Sequence, residues 1–387
     1  MDLLTSLLSD TELRHRLFPI SKSKIFMAHA AITAMPSPVA EAINRFIQRH
    51  TEDLPDYSET LTLIKQTRES AARLVHASPE EIALLGPTSL GLSLVANGIT
   101  WEPGDEVVCY LDDYPANVYP WLNLRDKGVV VRFIEPAQVG ELTVEALERA
   151  LTPKTKLVAL ASCSFIAGFR IDISAIGKLL RERGILFCLD AIQTLGAFPT
   201  TVEYVDFLSA DAHKWLLGPV AIGVVYVRKE LFELCRPTLL GAWNVKGPGY
   251  IAQNQIEFVE SAQRYEPGIL NYPGIAGMKA AIDLLLEVGI DQVAERILSI
   301  RKRLVSGLSG LGFTALGERH DSQHLSGIIT VSHPTLEIAA LFKRLSDNRV
   351  VCSPRQDRQG KAYLRFSPHF YNTEDEVDRV LEVLKNA

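Results

Sequence analysis

The sequence predicts an α/β protein with a large domain on a mainly parallel sheet between helices, followed by a smaller α+β C-terminal domain. Two observations carry this. Between Ile82 and Val227 short apolar runs alternate with helical stretches, the order that gives parallel strands joined by crossover helices. From Ser326 onward the order becomes strand, helix, strand, strand, helix, which suits a separate α+β layer. A length of 387 residues is enough for two such cores. The large domain is expected over residues 22–280, and the small one from 1–21 together with 281–387.

Taken in order, residues 1–17 read as a short amphipathic helix with Leu3, Leu4, Leu7 and Leu8 on one side. Ile25–Ala31 is a strand running into a loop that holds His29. Helices follow at Pro36–His50, with Pro38 near its start, and at Ser58–His76. Ile82–Leu85 is a strand, and Gly86-Pro87-Thr88-Ser89-Leu90-Gly91 leads from it into an apolar helix through Asn97. Strand, small-residue turn and helix start make a ready anion site, because the first amides of a helix are unpaired and its dipole favours negative charge. Thr88 and Ser89 suit that site; they equally suit capping of the helix, and the two roles are compatible.

Glu106–Tyr110 is the next strand, followed by Asp112-Asp113-Tyr114-Pro115-Ala116-Asn117 and a helix entered through Pro120-Trp121. Strands at Val129–Phe133 and Lys156–Ala161 flank a helix at Val144–Leu151. A loop over Ser162–Arg170 then leads to a helix at Ile173–Arg183. Gly184–Asp190 and Val205–Leu208 are buried strands, Ile222–Val227 another, and Lys229–Cys235 a helix. Residues 240–265, with Trp243 and Asn244, form a long irregular loop, a kind of segment that is often functional. Amphipathic helices at Gly274–Glu287 and Asp291–Leu308 lead to the last layer. That layer has strands at Ser326–Val331, Val350–Cys352 and Ala362–Phe366, and helices at Thr335–Leu345 and Thr373–Lys385.

Composition narrows the function. A hydrophobic share of 47% and a charged share of 22% are those of an ordinary globular protein. A net charge of −6 without a Lys/Arg block argues against nucleic acid as a partner. The first ten residues are too short and too acidic for a signal peptide, and no apolar run reaches membrane-spanning length. The cysteines at 109, 163, 188, 235 and 352 are scattered, which predicts reduced, mostly buried thiols in a cytoplasmic protein and no metal site.

The chemistry centres on Lys214, in Ser209-Ala-Asp-Ala-His213-Lys214-Trp215-Leu-Leu-Gly218-Pro219 between two apolar runs. A lysine between buried strands is costly unless its charge is lowered or used, and one use is an imine with a carbonyl cofactor. The other reading is a solvated loop lysine. Asp190 ends an apolar strand 24 residues earlier, where open α/β sheets bind ligands. It suits either an N-cap or an acid beside a ring nitrogen. Pyridoxal 5'-phosphate (PLP) needs both a lysine for its aldehyde and an acid at its pyridine nitrogen, so the pair says more than either residue alone.

Leu189-Asp190-Ala-Ile-Gln193-Thr-Leu-Gly196, Asp211-Ala-His213-Lys214-Trp215 and Gly218-Pro219 resemble the class V aminotransferase-like family of PLP enzymes, nearest its cysteine desulfurase and selenocysteine lyase branch. The resemblance implies fold type I, with a seven-stranded large-domain sheet, and a homodimer with shared active sites. It implies that Lys214 forms the imine and then acts as base at the substrate α-carbon. Asp190 would protonate the ring nitrogen and Gln193 contact the ring oxygen. Thr88, Ser89 and His213 would hold the phosphate, with Asp211 in the same cofactor set. Arg365, in Tyr363-Leu-Arg365-Phe, matches the arginine that grips the α-carboxylate; a solvated edge-strand arginine is the bland alternative. His29 lies in a segment expected near the site entrance, as a substrate contact or as a loop histidine satisfied by backbone.

The chain also departs from that branch. Tyr114 stands at its ring-stacking histidine; a phenol still stacks but is poorly suited to proton transfer near neutral pH, and a plain turn tyrosine is the alternative. Phe165 replaces an asparagine, which makes the pocket greasier. Arg264-Tyr265-Glu266-Pro267-Gly268-Ile269-Leu270-Asn271 resembles a signature in which a threonine reaches the neighbouring subunit's phosphate. Here Ile269 lacks the hydroxyl, and Asn271 is carried over as a substrate contact. The segment Ser353–Lys361, where the branch holds its nucleophilic cysteine, has none; Arg355 and Arg358 there suit an anionic or extended substrate, or solvent. Arg170 suits either an anionic substrate group or a salt bridge. The expected activity is therefore carbon–sulfur lysis by β-elimination, through a substrate imine and α-carbanion, without a cysteine persulfide. Transamination is the alternative, and a non-catalytic scaffold of the same fold is a more distant one.

Overall fold

A computed structural model describes residues 2–53, 56–317 and 320–386. Two short helices, α1 (Leu3–Ser9) and α2 (Thr11–Leu17), open the chain. The pattern predicts a single helix over 1–17, of which Met1 lies outside the described residues. Asp10 divides it, because its side chain accepts from Glu12 N and Leu13 N at 2.9 and 3.0 Å and so caps α2. β1 (Ile25–Phe26), α3 (Ser37–Glu52) and α4 (Tyr57–Val75) follow.

The sheet region runs β2 (Ile82–Leu84), α5 (Thr88–Gly98), β3 (Glu106–Cys109), α6 (Tyr119–Leu122), β4 (Val130–Phe133), α7 (Val144–Ala150) and β5 (Thr155–Ala161). It continues through α8 (Ile173–Glu182), β6 (Leu186–Asp190), β7 (Phe207–Asp211) and β8 (Gly223–Val227). These strands form one seven-stranded sheet in the order β2-β8-β7-β6-β5-β3-β4. Only β8 runs against its neighbours; β7, β6, β5, β3 and β4 pair in parallel.

Both faces of the sheet are buried, which is why its strands read as unbroken apolar runs. Val107, Leu157, Cys188, Phe207 and Val225 pack on one side. Their chain neighbours Val108, Val158, Leu189, Leu208 and Val224 pack on the other, as the two-residue period of a strand requires.

α9 (Tyr272–Val288) and α10 (Ile290–Gly310) meet at Gly289, whose φ of 88° favours glycine. The last layer comprises β9 (Thr314–Ala315), β10 (Ile329–Ser332), α11 (Ile338–Asp347), β11 (Val350–Val351), β12 (Ser353–Gln356), β13 (Ala362–Phe366) and α12 (Glu374–Lys385). β12-β13-β10-β9 make an antiparallel sheet, and β11 pairs in parallel with β1. α10 serves two cores: Val293 and Ile297 pack with the large sheet, Ile300 and Leu304 with the small one.

Leu7 and Phe18 share a core cluster with the large sheet, and Phe18 also stacks on Tyr371 and meets Phe370 edge-on, so the N-terminal segment touches both parts of the chain. Several expectations need correction. Ser353–Lys361 is not simply a loop: β12 occupies its first half and pairs with β13. Lys229–Cys235 holds only a 3-10 turn at Lys229–Leu231, and the helix entered through Pro120 is the single turn α6 followed by a 3-10 turn. No helix among the described residues is long and apolar enough to cross a membrane. No cluster of three or more His, Cys, Asp or Glu among them suits a metal ion.

Candidate active site

The parallel strands β6 and β7 end at Asp190 and Asp211, and a cavity of about 510 Å³ opens beside them. It is lined by Asp190 and Gln193 after β6, His213 and Lys214 after β7, and Thr88 and Ser89 at the start of α5. The four-stranded antiparallel sheet contributes Arg355 and Arg365 from β12 and β13. Tyr114 and Phe165 complete the wall.

Lys214 is 7% exposed, on a turn whose following residues Leu217 and Ala221 have φ of 60° and 57°. A left-handed leucine costs backbone energy and marks a turn held in place by its surroundings. Burial pulls the Lys214 ammonium down to about 8. Asp190 opposes that pull, while Arg365 and Arg355 add to it. Asp190 is 2% exposed and burial pushes its carboxyl up to about 6, against a hydrogen bond from Ile192 N at 3.0 Å and the charge of Lys214. That bond belongs to a turn, so Asp190 caps no helix. The cavity thus joins an amine that loses its proton near pH 8 to an acid that suits a protonated nitrogen base.

The start of α5 has the chemistry of an anion cradle. Its N-cap is Pro87, with no side-chain cap; Leu90 N is held by Pro87 O at 2.8 Å, so the amides of Thr88 and Ser89 are the ones open to a ligand, and neither side chain fills the capping role. Thr88 Oγ1 accepts from Asp211 N at 2.9 Å, which leaves its own proton to donate. Gly91 lets the helix sit hard on β7: a Cβ there would meet Ser209 Oγ at 2.4 Å. Asp211 does not line the cavity. Its Oδ1 accepts from Ala212 N and Ile222 N, and its Oδ2 holds His213 Nδ1 at 2.8 Å, so it positions the His213 ring. Gln193 is fixed in the same way, accepting from Trp215 Nε1 at 2.8 Å and donating to Ala30 O at 3.3 Å.

Arg365 is 1% exposed and donates from Nη1 to Phe165 O at 2.7 Å, while its Nε and Nη2 are buried without partners. A buried guanidinium with two orphaned donors on a cavity wall has the donors to bind a carboxylate. Burial, helped by Arg355, lowers it to about 9. Tyr114 is 49% exposed, its ring 5.2 Å from Lys214 Nζ and edge-on to Phe165.

Other expected contacts lie elsewhere. His29 is fully buried behind the cavity wall, bonded to Thr33 Oγ1 at 2.8 Å and Tyr371 OH at 3.0 Å, and burial holds it well below the usual histidine range. It is a core histidine, not a substrate contact. Asn271 caps α9 through Gly274 N at 3.0 Å and does not line the cavity. Neither does Arg170, which donates to Leu325 O and stacks over Phe198. Asn244 is buried on the backbone of Leu239 and Arg264.

Asp113 was not expected to matter. It is buried, accepts from Asn117 Nδ2 and Tyr114 N, and is pushed up to about 7 by burial and then by the charge of Asp190. The only sequence signal was an acid beside Tyr114 in a turn, which is too common to single out.

Comparisons with known proteins bear on the family and the fold. Residues 25–380 match the family described as Aminotransferase class-V. A protein named as a probable cysteine desulfurase of Pyrococcus abyssi is 28% identical over 385 residues, 95% of each chain. The apo structure of a cysteine desulfurase from Thermococcus onnurineus NA1 superposes with a TM-score of 0.89 at 25% identity, covering 96% of each chain. The cystine C–S lyase C-DES, in complex with its reaction product cysteine persulfide, has a TM-score of 0.86 at 22% identity, over 95% of this chain and 99% of that one.

Proposed function

The chain belongs to the class V aminotransferase family of PLP-dependent enzymes, and on that premise we propose that it is a carbon–sulfur lyase cleaving S-substituted L-cysteines. Overall, a cysteine conjugate and water give pyruvate, ammonia and a free thiol. The residues present fit PLP: an amine of lowered pKa, a buried acid, an open helix start with a hydroxyl, and an orphaned guanidinium. Thr88, Ser89, the α5 amides and His213 would hold its phosphate, Asp190 its ring nitrogen, Gln193 its ring oxygen, and Tyr114 would stack. When bound, PLP supplies a sink for the electron pair left at the substrate α-carbon.

The chain's own groups do the rest. Arg365 Nε and Nη2 bind the α-carboxylate, which fixes the direction of the Cα–H bond. Lys214 Nζ, partly neutral near pH 7 because it is buried, takes the α-proton. Asp190 keeps the proton on the ring nitrogen. Phe165 and Ile192 add apolar wall beside the charged groups. As the Cβ–S bond breaks, the sulfur departs with the bonding pair and takes up a proton, for which the Lys214 ammonium is the donor at hand, to leave as the thiol.

One observation carries the choice against a protein-bound persulfide: none of the five cysteines lines the cavity, and all five are buried. Cys352, next to the segment in question, is 7% exposed, and burial pushes its thiol up to about 12. A persulfide carrier needs an accessible thiolate. The test is turnover of an L-cysteine conjugate by Cys352→Ala. Pyruvate and thiol released within about threefold of the parent rate support elimination without a carrier. With L-cysteine as substrate, alanine and a protein-bound persulfide formed by the parent and both lost in Cys352→Ala sink it. A stoichiometric burst of keto acid that stops until a second keto acid is added marks transamination instead.

Two further readings belong to the same proposal. Unpaired buried thiols support a cytoplasmic setting. Ile32, on the cavity wall, and Ile269, 75% exposed, offer apolar surface that suits a second copy of the chain in a homodimer. A monomer by sedimentation of the holoenzyme at micromolar concentration counts against it.

A further inference from the structure

The cavity holds more positive charge than an ordinary amino acid can use. Arg355 and Arg365 sit on paired antiparallel strands with Ser353 opposite Arg365 and Tyr363 opposite Arg355. Residues opposite each other, and residues two apart, share a face, so both guanidinium groups lie on the same face as diagonal neighbours. Both line the cavity. Neither makes an ion pair among the described residues: Arg365 donates only to Phe165 O, and Arg355 to its own neighbour Pro354 O at 2.9 Å. Three of their nitrogens, Arg355 Nε and Arg365 Nε and Nη2, are buried with no partner. Arg358 in the same hairpin behaves differently, tied to Asp112 and Leu111 O. The other charges at the site are matched: Asp190 faces Lys214, and Asp211 holds His213.

Two like charges on diagonal positions of one sheet face repel, and an orphaned buried donor costs free energy. The arrangement persists at low cost only if ligands carry an anion to each. The α-carboxylate answers Arg365. The open start of α5 takes a phosphate on another element. Arg355 is left over, and it faces the side of the cavity shared with Tyr114 and Phe165.

We infer that the substrate carries a second anionic group beyond the scissile bond, a carboxylate on the S-substituent, bound by Arg355. The substrate class is then S-carboxyalkyl or disulfide-linked cysteines with a distal carboxylate, not neutral alkyl or aryl conjugates. This rests on the lyase reading for the scissile bond, but recognition of the second anion does not depend on which bond breaks.

The experiment compares S-carboxymethyl-L-cysteine with its neutral isostere S-carbamoylmethyl-L-cysteine on the holoenzyme. Binding is read from the change in cofactor absorbance, and turnover from pyruvate. The carboxylate is expected to be favoured by roughly tenfold or more, mainly in Kd and KM. R355Q should reduce the preference to below about threefold, R355K should keep more of it than R355Q, and R355E should reverse it. Equal affinity for the two probes overturns the inference, as does R355Q weakening both alike. Loss of cofactor affinity in R355Q, measured by equilibrium dialysis, also overturns it, because Arg355 then serves the cofactor. A preserved binding preference without pyruvate leaves the second anion standing and sinks only the lyase reading.

Discussion

Lys214 Nζ lies 5.2 Å from the centroid of the Tyr114 ring. The nearest branch of the family suggests a histidine at this position, so the ring that faces the amine here is a phenol in place of an imidazole. If Tyr114 acts by its face, Tyr114→Phe should lose less than Tyr114→Ala. Tyr114→Ala should weaken cofactor binding by roughly 3- to 10-fold. Equilibrium dialysis of the cofactor against each variant measures this. Equal losses in both would assign the role to the hydroxyl.

The amine of Lys214 sets a pH dependence for cofactor capture. Its folded pKa is lowered to about 8 from the usual 10.5, chiefly by burial, and only the neutral amine attacks an aldehyde. Capture of PLP by cofactor-free protein should therefore accelerate as pH rises to about 8 and level off above it. Stopped-flow absorbance across pH 6 to 10 reads the profile (about two units either side of that value). A rate still climbing at pH 10 would mean an ordinary solvated lysine. Lys214→Ala should show no covalent capture at any pH.

Asp113 contributes a stability term of the opposite kind. Burial and the neighbouring Asp190 raise its folded pKa from 3.8 to about 7. A carboxyl with a raised pKa binds its proton more tightly when folded. Its contribution is present in full below about pH 4 and is lost as pH climbs through about 7. Urea melts of the cofactor-free protein at pH 5 and pH 8 should show the parent losing roughly 2 kcal/mol relative to Asp113→Asn over that interval. Parallel behaviour of the two proteins would mean that Asp113 is charged throughout. His369, lowered to about 4 by burial, acts in the other direction in both proteins and cancels in the comparison.

Arg68 supports the site from outside it. Its guanidinium pairs with Glu266, a buried carboxylate that also accepts from Leu84 N at 2.8 Å, at the end of the strand leading into the anion cradle. Arg68→Ala leaves that carboxylate buried and unpaired, so it should cost about 3 kcal/mol of stability. It should also weaken phosphate-dependent cofactor affinity. Urea midpoints and dialysis test the two effects, and a change within about 0.5 kcal/mol would show that water replaces the guanidinium.

Much of the fold was legible because periodicity encodes burial. The strands from Ile82 to Val227 are apolar on both faces, and the helices between them carry one apolar side, so their alternation already implied a parallel sheet covered on both sides. Short elements were harder. α1 and α2 merged because Asp10 interrupts no apolar stripe, and β12 was missed because Pro354, Arg355 and Gln356 have no strand-like composition. Pairing with β13 decides that segment, and such pairing is a property of neighbours far away in sequence.

At the site, the sequence by itself determined the residues that chemistry names directly. Lys214 and Asp190 stand out because a charged group at the end of an apolar run needs a reason, and the motifs around them identify the family. Tertiary structure alone decided which polar residues share the cavity. His29 and Asn271 carry the same functional groups wherever they lie, but folding spends one in the core and the other on a helix cap. Folding also leaves Arg355 and Arg365 side by side without acids, and places Asp113 against Asp190. Burial and partner distance set charge cost and pKa, and both depend on contacts made by the folded chain, some of them between residues as far apart as His29 and Tyr371, which no local pattern records.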